Sequence, residues 1–137
     1  MKDKSLIIIP TYNEAENIKD VINKILSLQN NNFILVVDDN SPDGTSNIVE
    51  NLKKDNTDKL FLITREKKDG LGSAYKVGFK WALEQDFSYI FEMDDDLSHD
   101  PNEIDNLKRL LVNNECEVAI GSRYLEGVSV VNWALSR

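Results

Sequence analysis

Residues 5–9, Ser-Leu-Ile-Ile-Ile, and residues 33–37, Phe-Ile-Leu-Val-Val, are the two stretches that decide the fold. Each is a short apolar run rich in β-branched or aromatic side chains, which favour strands. A strand with water on one face alternates apolar and polar residues, and these two runs do not alternate. Strands of this kind are buried on both faces, as in a parallel sheet that has helices on either side.

The same theme recurs outward from these runs: a short apolar stretch, a polar turn and then apolar residues at helical spacing. Further strands are predicted at residues 60–64, 89–93 and 118–121. A helix is predicted after each of the first four strands; Asn13 with Glu16 would cap the first, and Asp100 would cap the fourth. The prediction is an α/β fold with a mostly parallel sheet, helices on both faces, and one domain over residues 1–137.

The composition excludes several classes of protein. The chain has 137 residues, of which 24 are acidic and 16 basic, so its formal net charge is −8. An acidic chain of this kind has no basic stripe with which to bind nucleic acid. No apolar run reaches the roughly 18–20 residues of a membrane-spanning helix. The single cysteine, Cys116, has no partner for a disulfide, so we expect a reducing, cytoplasmic setting.

Polar clusters follow the predicted strands at their carboxyl ends, where open parallel sheets bind ligands. The most informative is Asp94-Asp95-Asp96, because three adjacent carboxylates repel one another unless a cation is bound. Asp94 and Asp96 point to the same side of an extended backbone. Their hard oxygen ligands suit Mg²⁺ or Mn²⁺, with water and phosphate oxygens completing the coordination. The competing interpretation is a solvated acidic loop that caps the next helix, although Asp100 already suits that cap.

The remaining clusters are less specific. Asp38-Asp39 suits hydrogen bonds to a ribose or a base, but the turn-forming residues that follow also predict a turn. Gly70-Leu71-Gly72 lacks the third glycine of a dinucleotide fingerprint and predicts the start of a helix near a ligand. Arg123 suits bidentate contact with phosphate, or is an ordinary surface arginine. His99, the only histidine, is assigned no role in proton transfer.

Five motifs, in chain order, carry a resemblance to a known family. They are IIIPTYNEAENI (7–18), VVDDNSPDGT (36–45), GLGSAYKVGF (70–79), MDDDLSHDP (93–101) and GSRYLEG (121–127). The chain resembles the family 2 glycosyltransferases of the GT-A fold over almost its whole length. Within that family it is most similar to the polyprenyl-phosphate (dolichyl-phosphate) mannosyltransferases.

The resemblance implies a reaction and a set of site residues. Mannose would pass from GDP-mannose to a polyprenyl phosphate, with inversion at the anomeric carbon and with Mg²⁺ or Mn²⁺ as cofactor. A lipid phosphate is largely ionised at pH 7, so a dedicated general base is unnecessary. Asp94, Asp96 and Ser98 would hold the metal, and Asp96 and Arg123 would act in catalysis. The nucleotide-sugar site implied by the family pattern comprises Pro10, Tyr12, Glu14, Val37, Asp39, Asp94, Asp95, Asp96, Ser98, Arg123 and Arg137.

Two departures from the family pattern affect these expectations. Asp95 stands where the family usually has alanine, which adds a third charge between the metal-binding positions. Family members also continue beyond the position of Arg137, so we expect this chain to lack the acceptor-side region. We expect it to act in the cytoplasm, peripherally on the cytoplasmic face of a membrane. Two alternatives remain: a truncated or non-catalytic module that binds nucleotide sugars, and a related transferase that uses UDP-glucose.

Overall fold

The computed structural model of the chain describes residues 4–28, 31–95 and 100–119. Strands and helices alternate along these residues, and the chain forms two compact units, Met1–Asn102 and Glu103–Arg137. The first unit contains β1 (Ser5–Thr11), α1 (Ile18–Ser27), β2 (Asn32–Asp38), α2 (Thr45–Asp55), β3 (Leu60–Thr64), α3 (Leu71–Leu83) and β4 (Tyr89–Glu92). The second contains α4 (Glu103–Val112). None of the helices in the described residues is both long and apolar enough to cross a membrane.

The four strands form a parallel sheet in the order β3-β2-β1-β4. β1 and β2 pair along their whole lengths, from Ser5 opposite Asn32 to Thr11 opposite Asp38. Every residue of β1 is buried, as its unbroken apolar run predicts for a central parallel strand. The predicted α/β fold with a parallel sheet is confirmed.

Pro10 lies inside the central strand β1, although proline has no N–H to donate to a neighbouring strand. The carbonyl of Ile8 accepts a hydrogen bond from the backbone N–H of Met93 (3.1 Å), so the backbone polar groups of Ile8 point toward β4. By the two-residue period of a strand, the backbone nitrogen of Pro10 points to the same side. The pairing of β1 with β4 ends at Ile8, so no hydrogen bond of the ladder is lost at Pro10.

Helices cover both faces of the sheet. On one face, alternate residues of β1 and β2 form a core with α3; this core comprises Leu6, Ile8, Leu35, Val37, Ala74 and Ala82. The intervening strand residues point to the other face, where α1 and α2 also bury apolar side chains. The fully buried residues on that second side are Ile7, Ile9, Ile34, Val36, Ile18, Val21, Ile22, Ile25 and Val49.

Gly78 allows α3 to lie directly against β1. A Cβ atom added at Gly78 would lie only 2.7 Å from Cγ2 of Ile8, closer than side chains pack in real proteins. Ile8 is fully buried, and its methyl group branches from Cβ, so it has little room to move aside. The distance between this helix and the sheet therefore depends on a glycine at position 78.

We expect Gly78→Ala to lower the free energy of unfolding by about 1–3 kcal/mol relative to Gly72→Ala, because only the first substitution overpacks the core. Gly72 lies in the same helix, and a Cβ atom there meets nothing within 4 Å. Both variants gain the helix propensity of alanine, so the comparison isolates the packing cost. Urea unfolding followed by circular dichroism measures the difference. Equal stabilities of the two variants would contradict the close contact.

Two local predictions differ from the structure. The pair Asn13 and Glu16 does not cap α1, which begins at Ile18; Asn13 instead has φ 56°, and its N–H donates to Ser41 Oγ (2.9 Å). The loop after β1 is thus drawn toward the loop after β2 before the helix starts. The predicted fifth strand, 118–121, lies partly outside the described residues, and its described part, 118–119, is not a strand.

Candidate functional site

The loops that follow the strands lie at one edge of the sheet, because all four strands are parallel. The site described here is this carboxyl edge: the residues 11–17, 38–46 and 65–75 and the end of β4 at 92–95. Four predicted site residues lie outside the described residues, namely Asp96, Ser98, Arg123 and Arg137. Their predicted roles stay predictions.

Asp38, the last residue of β2, is fully buried and joins the ends of β1 and β2. Its Oδ1 accepts hydrogen bonds from Thr11 Oγ1 and from Ser41 Oγ, both at 2.6 Å. Its Oδ2 accepts from the N–H of Ser41 (2.9 Å) and from Ser46 Oγ (2.8 Å). Burial alone would raise the pKa of Asp38, but the hydrogen bonds from Ser41, Thr11 and Ser46 outweigh it and lower the pKa. Asp38 is therefore an ionised residue that ties the end of β2 to the turn that follows it.

A second carboxylate, Asp43, holds the loop after β1 in the same way. Its Oδ1 accepts from the N–H (3.0 Å) and the hydroxyl (2.5 Å) of Thr45. Thr45 Oγ1 in turn accepts from the N–H of Glu14 (3.1 Å), and Asp43 Oδ2 accepts from the N–H of Ala15 (3.0 Å). Through these bonds the loop after β2 fixes the backbone of the motif that contains Tyr12 and Glu14.

We expect Asp38→Asn to lower the free energy of unfolding by about 1–3 kcal/mol at pH 7, because an amide supplies one acceptor oxygen where the carboxylate supplies two. The pKa of Asp38 is lower in the folded state, so its contribution is present above the unfolded pKa of 3.8. It is lost as the pH falls through the folded value. The gap between variant and parent should therefore close below about pH 4.

Chemical unfolding at a series of pH values measures this gap, with Asp58→Asn as the matched control because Asp58 is exposed. A constant gap from pH 7 to pH 3 would show that the charge on Asp38 does not contribute to stability.

Asp39 follows Asp38 and forms a buried ion pair with Arg65, the residue that follows β3. Arg65 Nε lies 2.5 Å from Asp39 Oδ1, and Nη2 lies 2.7 Å from Oδ2, so the contact is bidentate. Nη1 donates to Ser73 Oγ on α3 (2.7 Å). The hydrogen bond to Asp39 raises the pKa of Arg65, which stays charged at every accessible pH. This pair connects the ends of β2 and β3 with the first turn of α3.

No role was predicted for Arg65. In the sequence it is one of several charged residues in 65–69, a composition typical of a surface loop. The available signal was its position directly after a predicted strand, where a side chain reaches the edge of the sheet. The partner, Asp39, lies 26 residues away, and only the order of the strands brings the two together.

We expect Arg65→Lys to lower the free energy of unfolding by about 1.5–3 kcal/mol, because lysine cannot form the bidentate contact with Asp39. Arg109→Lys is the matched control, since Arg109 is exposed and its guanidinium donates to Asn106 on the same helix. The control should change stability by less than about 0.5 kcal/mol. Urea unfolding of both variants measures the difference, and equal effects would mean that the bidentate geometry is unimportant.

The residues predicted for the nucleotide differ in what they can offer a ligand. Pro10 and Val37 are buried register partners in β1 and β2, and the side chain of Val37 belongs to the core under α3. Any ligand contact at Val37 therefore has to use its backbone. Tyr12 is the exposed member, at 37% of its surface, and the ammonium of Lys68 lies 4.4 Å from the centre of its ring. Glu14 is half-buried and accepts a hydrogen bond from Asn17 (3.3 Å).

The start of α3 agrees with the prediction for Gly70-Leu71-Gly72. Gly70 is the N-cap residue and has φ 84°, a conformation that favours glycine, and the helix begins at Leu71. The carbonyl of Gly70 also accepts a hydrogen bond from Arg65 Nη2 (3.4 Å). The glycine therefore shapes the loop around the ion pair, as well as the start of the helix.

The acidic end of β4 contains Glu92, Asp94 and Asp95. Asp94 and Asp95 are half-buried, and Asp94 Oδ1 accepts a hydrogen bond from the hydroxyl of Tyr75 on α3 (3.4 Å). Desolvation, and then the neighbouring Asp94, raise the pKa of Glu92. Burial, and then Asp94 and Glu92, raise the pKa of Tyr75, so its hydroxyl stays protonated at neutral pH. The negative potential at this end is what a bound cation would offset.

The described carboxylates of the predicted metal site have a donor chemistry that suits a hard divalent cation. Asp94, a predicted metal ligand, supplies only oxygen donors, which Mg²⁺ and Mn²⁺ prefer, and so does its neighbour Asp95. Within the described residues, no three His, Cys, Asp or Glu side chains come together as a metal-binding group. The other predicted ligands, Asp96 and Ser98, follow within a few residues and lie outside the described part of the chain.

The parallel sheet and its polar carboxyl edge place the chain among the α/β proteins that bind ligands at the ends of their strands. Residues 6–137 match the sequence profile of the family "Glycosyl transferase family 2". The chain belongs to that family, as its five motifs predict.

Three curated relatives are similar over nearly the whole chain. A polyprenol monophosphomannose synthase of Mycolicibacterium smegmatis is 43% identical over 98% of the chain. An undecaprenyl-phosphate mannosyltransferase of Micrococcus luteus is 38% identical over 96%, and a dolichol-phosphate mannosyltransferase of Pyrococcus furiosus is 42% identical over 98%. The chain spans 50%, 53% and 37% of the lengths of these three relatives, respectively.

Two solved structures share the fold. One is a mannosyltransferase from Pyrobaculum calidifontis in complex with GDP-Man and Mn²⁺, with a TM-score of 0.54 and 26% identity over 59% of this chain and 25% of its own. The other is S. aureus TarS 1-349 in complex with UDP-GlcNAc, with a TM-score of 0.68 and 20% identity over 90% of this chain and 38% of its own. The second likeness concerns the fold alone.

Proposed function

We propose that the protein transfers a hexose, mannose from GDP-mannose, to a polyprenyl phosphate in a metal-dependent, inverting reaction. The observation that carries this proposal is the identity of 38–43% with three relatives, each named for the transfer of mannose to a polyprenyl-type phosphate. That identity covers the whole described carboxyl edge. Because the chain spans about half of these relatives or less, the acceptor side belongs to the proposal as well.

In this proposal the guanosine binds at the ends of β1 and β2. Tyr12 offers an exposed aromatic face, and the ion pair of Asp39 with Arg65 offers a carboxylate whose orientation is already set. The hydrogen bonds of Asp38 and Asp43 keep the loop with Tyr12 and Glu14 in place before any ligand arrives. Pro10 and Val37 complete the floor of this site. A site fixed in advance loses less entropy when the nucleotide binds.

The diphosphate and the sugar lie toward the end of β4. Asp94, with Asp96 and Ser98, would hold Mg²⁺ or Mn²⁺, and Asp95 lies between the two aspartates. When bound, the metal stabilises the negative charge that develops on the departing diphosphate. Arg123 and Arg137 would contribute positive charge to the phosphates of donor or acceptor.

The chemical step needs no general base, because the attacking phosphate oxygen is already ionised. An ionised oxygen of the lipid phosphate attacks the anomeric carbon of the sugar from the side opposite GDP. The new bond joins that carbon to the phosphate oxygen, the bond to the diphosphate breaks, and GDP leaves with the electron pair. The configuration at the anomeric carbon inverts. The second pKa of a phosphate monoester is about 6, so the nucleophile is ionised at pH 7.

A lipid acceptor requires that the reaction take place at a membrane surface. We therefore place the protein in the cytoplasm, peripherally on the cytoplasmic face of a membrane, where it meets both a nucleotide sugar and a polyprenyl phosphate. Sedimentation of the protein with vesicles that contain polyprenyl phosphate tests this placement, since vesicles without it should bind less protein.

We expect Asp94→Asn to lower the rate of mannosyl transfer at least about 100-fold, because the amide loses the charge that binds the metal. The assay measures radiolabelled mannose passing from GDP-mannose to a short polyprenyl phosphate, with Mn²⁺ or Mg²⁺ and again with a chelator. Asp58→Asn is the matched control, since Asp58 is exposed in the loop before β3, at the end of that strand opposite the carboxyl edge. Transfer that persists in the presence of the chelator would contradict metal dependence.

Two further measurements separate the alternative functions. Metal-dependent binding of GDP without any transfer, measured by calorimetry, would instead indicate a non-catalytic or truncated nucleotide-sugar-binding module. Tighter binding of UDP than of GDP, with transfer of glucose from UDP-glucose, would indicate the related transferase. Transfer of mannose from GDP-mannose alone supports the proposal.

A further inference from the structure

Tyr75, on α3, places its hydroxyl against Asp94 at the acidic end of β4. Its oxygen lies 3.4 Å from Asp94 Oδ1, a long hydrogen bond in which the phenol donates and the carboxylate accepts. In the motif GLGSAYKVGF, Tyr75 occupies the position at which a dinucleotide fingerprint has its third glycine. No functional role was predicted for Tyr75 itself. The contact spans two elements that are 19 residues apart in the chain.

The ring of Tyr75 is held in place by the packing of its helix. Its neighbour Ala74 is buried in the core with Leu6 and Ile8, and the ring of Tyr75 packs against the same core. One turn further along, Gly78 brings α3 against Ile8 as closely as the backbone allows. Since both contacts fix the helix on β1, the position of the hydroxyl is set by the core.

The backbone at Asp94 is held from the other side. The N–H of the preceding residue, Met93, donates to the carbonyl of Ile8 (3.1 Å), and the side chain of Met93 is buried. β1 therefore contacts both α3 and the end of β4 through the same residue, Ile8. The hydrogen bond from Tyr75 restricts the rotation of the Asp94 carboxylate about its side-chain bonds.

We propose that Tyr75 is a positioning residue for Asp94, which orients the carboxylate toward a divalent cation by donating a hydrogen bond to Oδ1. The inference rests on the proposed function only in taking Asp94 as a metal ligand. Hydrogen bonds to the ligands of a metal tune its affinity, and their removal commonly weakens binding 10- to 100-fold. The hydroxyl of Tyr75 would act in this way without touching the metal or the substrate.

The test compares the binding of Mn²⁺ to the full chain and to Tyr75→Phe, Tyr89→Phe and Asp94→Asn, by electron paramagnetic resonance of the ion. Each titration is performed with Mn²⁺ alone and again with saturating GDP. Tyr75→Phe keeps the ring, so the core packing is preserved. Tyr89→Phe removes a hydroxyl at the opposite end of β4 and is the matched control.

We expect Tyr75→Phe to bind Mn²⁺ about 10-fold more weakly, with an unfolding midpoint in urea close to that of the parent. Tyr89→Phe should bind Mn²⁺ as the parent does. A purely structural role of Tyr75 would lower the unfolding midpoint and leave the Mn²⁺ affinity of the folded protein unchanged, which would overturn the inference.

Two further outcomes separate the inference from the proposed function. If Asp94→Asn loses Mn²⁺ and Tyr75→Phe does not, the positioning role is wrong and the metal-dependent transferase stands. If Asp94→Asn binds Mn²⁺ as the parent does, Asp94 is not a ligand, and both the inference and the metal site of the proposed function are wrong.

Discussion

The carboxylate of Asp38 is the point on which the carboxyl edge depends. It is a buried negative charge with four hydrogen-bond donors around it, contributed by Thr11 on β1 and by Ser41 and Ser46 in the segment after β2. A buried charge that lacks its hydrogen-bond donors costs far more free energy than a single hydrogen bond contributes. The strand end and the loops that supply these donors are therefore held together. The parallel pairing of β1 with β2 ends at the residue pair that this carboxylate joins.

α3 organises the other half of the edge from a single position on the sheet. From its first turn, Ser73 accepts a hydrogen bond from Arg65 and supports the ion pair with Asp39. From its second turn, Tyr75 reaches the acidic end of β4. Both side chains depend on how closely the helix lies on β1, which Gly78 determines. A packing contact in the core thus governs the geometry of two separate polar groups at the surface.

Much of this arrangement could be predicted from the sequence. Unbroken apolar runs predicted the parallel sheet, and β3 has the predicted bounds, Leu60–Thr64. Local rules were wrong for Asn13, because a hydrogen bond to Ser41, 28 residues away, outweighs a capping pattern. Arg65 and Tyr75 were missed for the same reason: their partners are distant in the sequence. Asp96, Ser98, Arg123 and Arg137 rest on the motif alone, since they lie outside the described residues.

The arrangement of charges at the carboxyl edge has a consequence for the order in which ligands arrive. In the described residues, the guanidinium of Arg65 is neutralised by Asp39, while Glu92, Asp94 and Asp95 cluster at the end of β4. An uncomplexed nucleotide diphosphate would approach this acidic end against electrostatic repulsion. The magnesium or manganese complex of the nucleotide carries less negative charge and meets less repulsion. The proposed function therefore favours a sequence of events in which metal and nucleotide enter together, or the metal first.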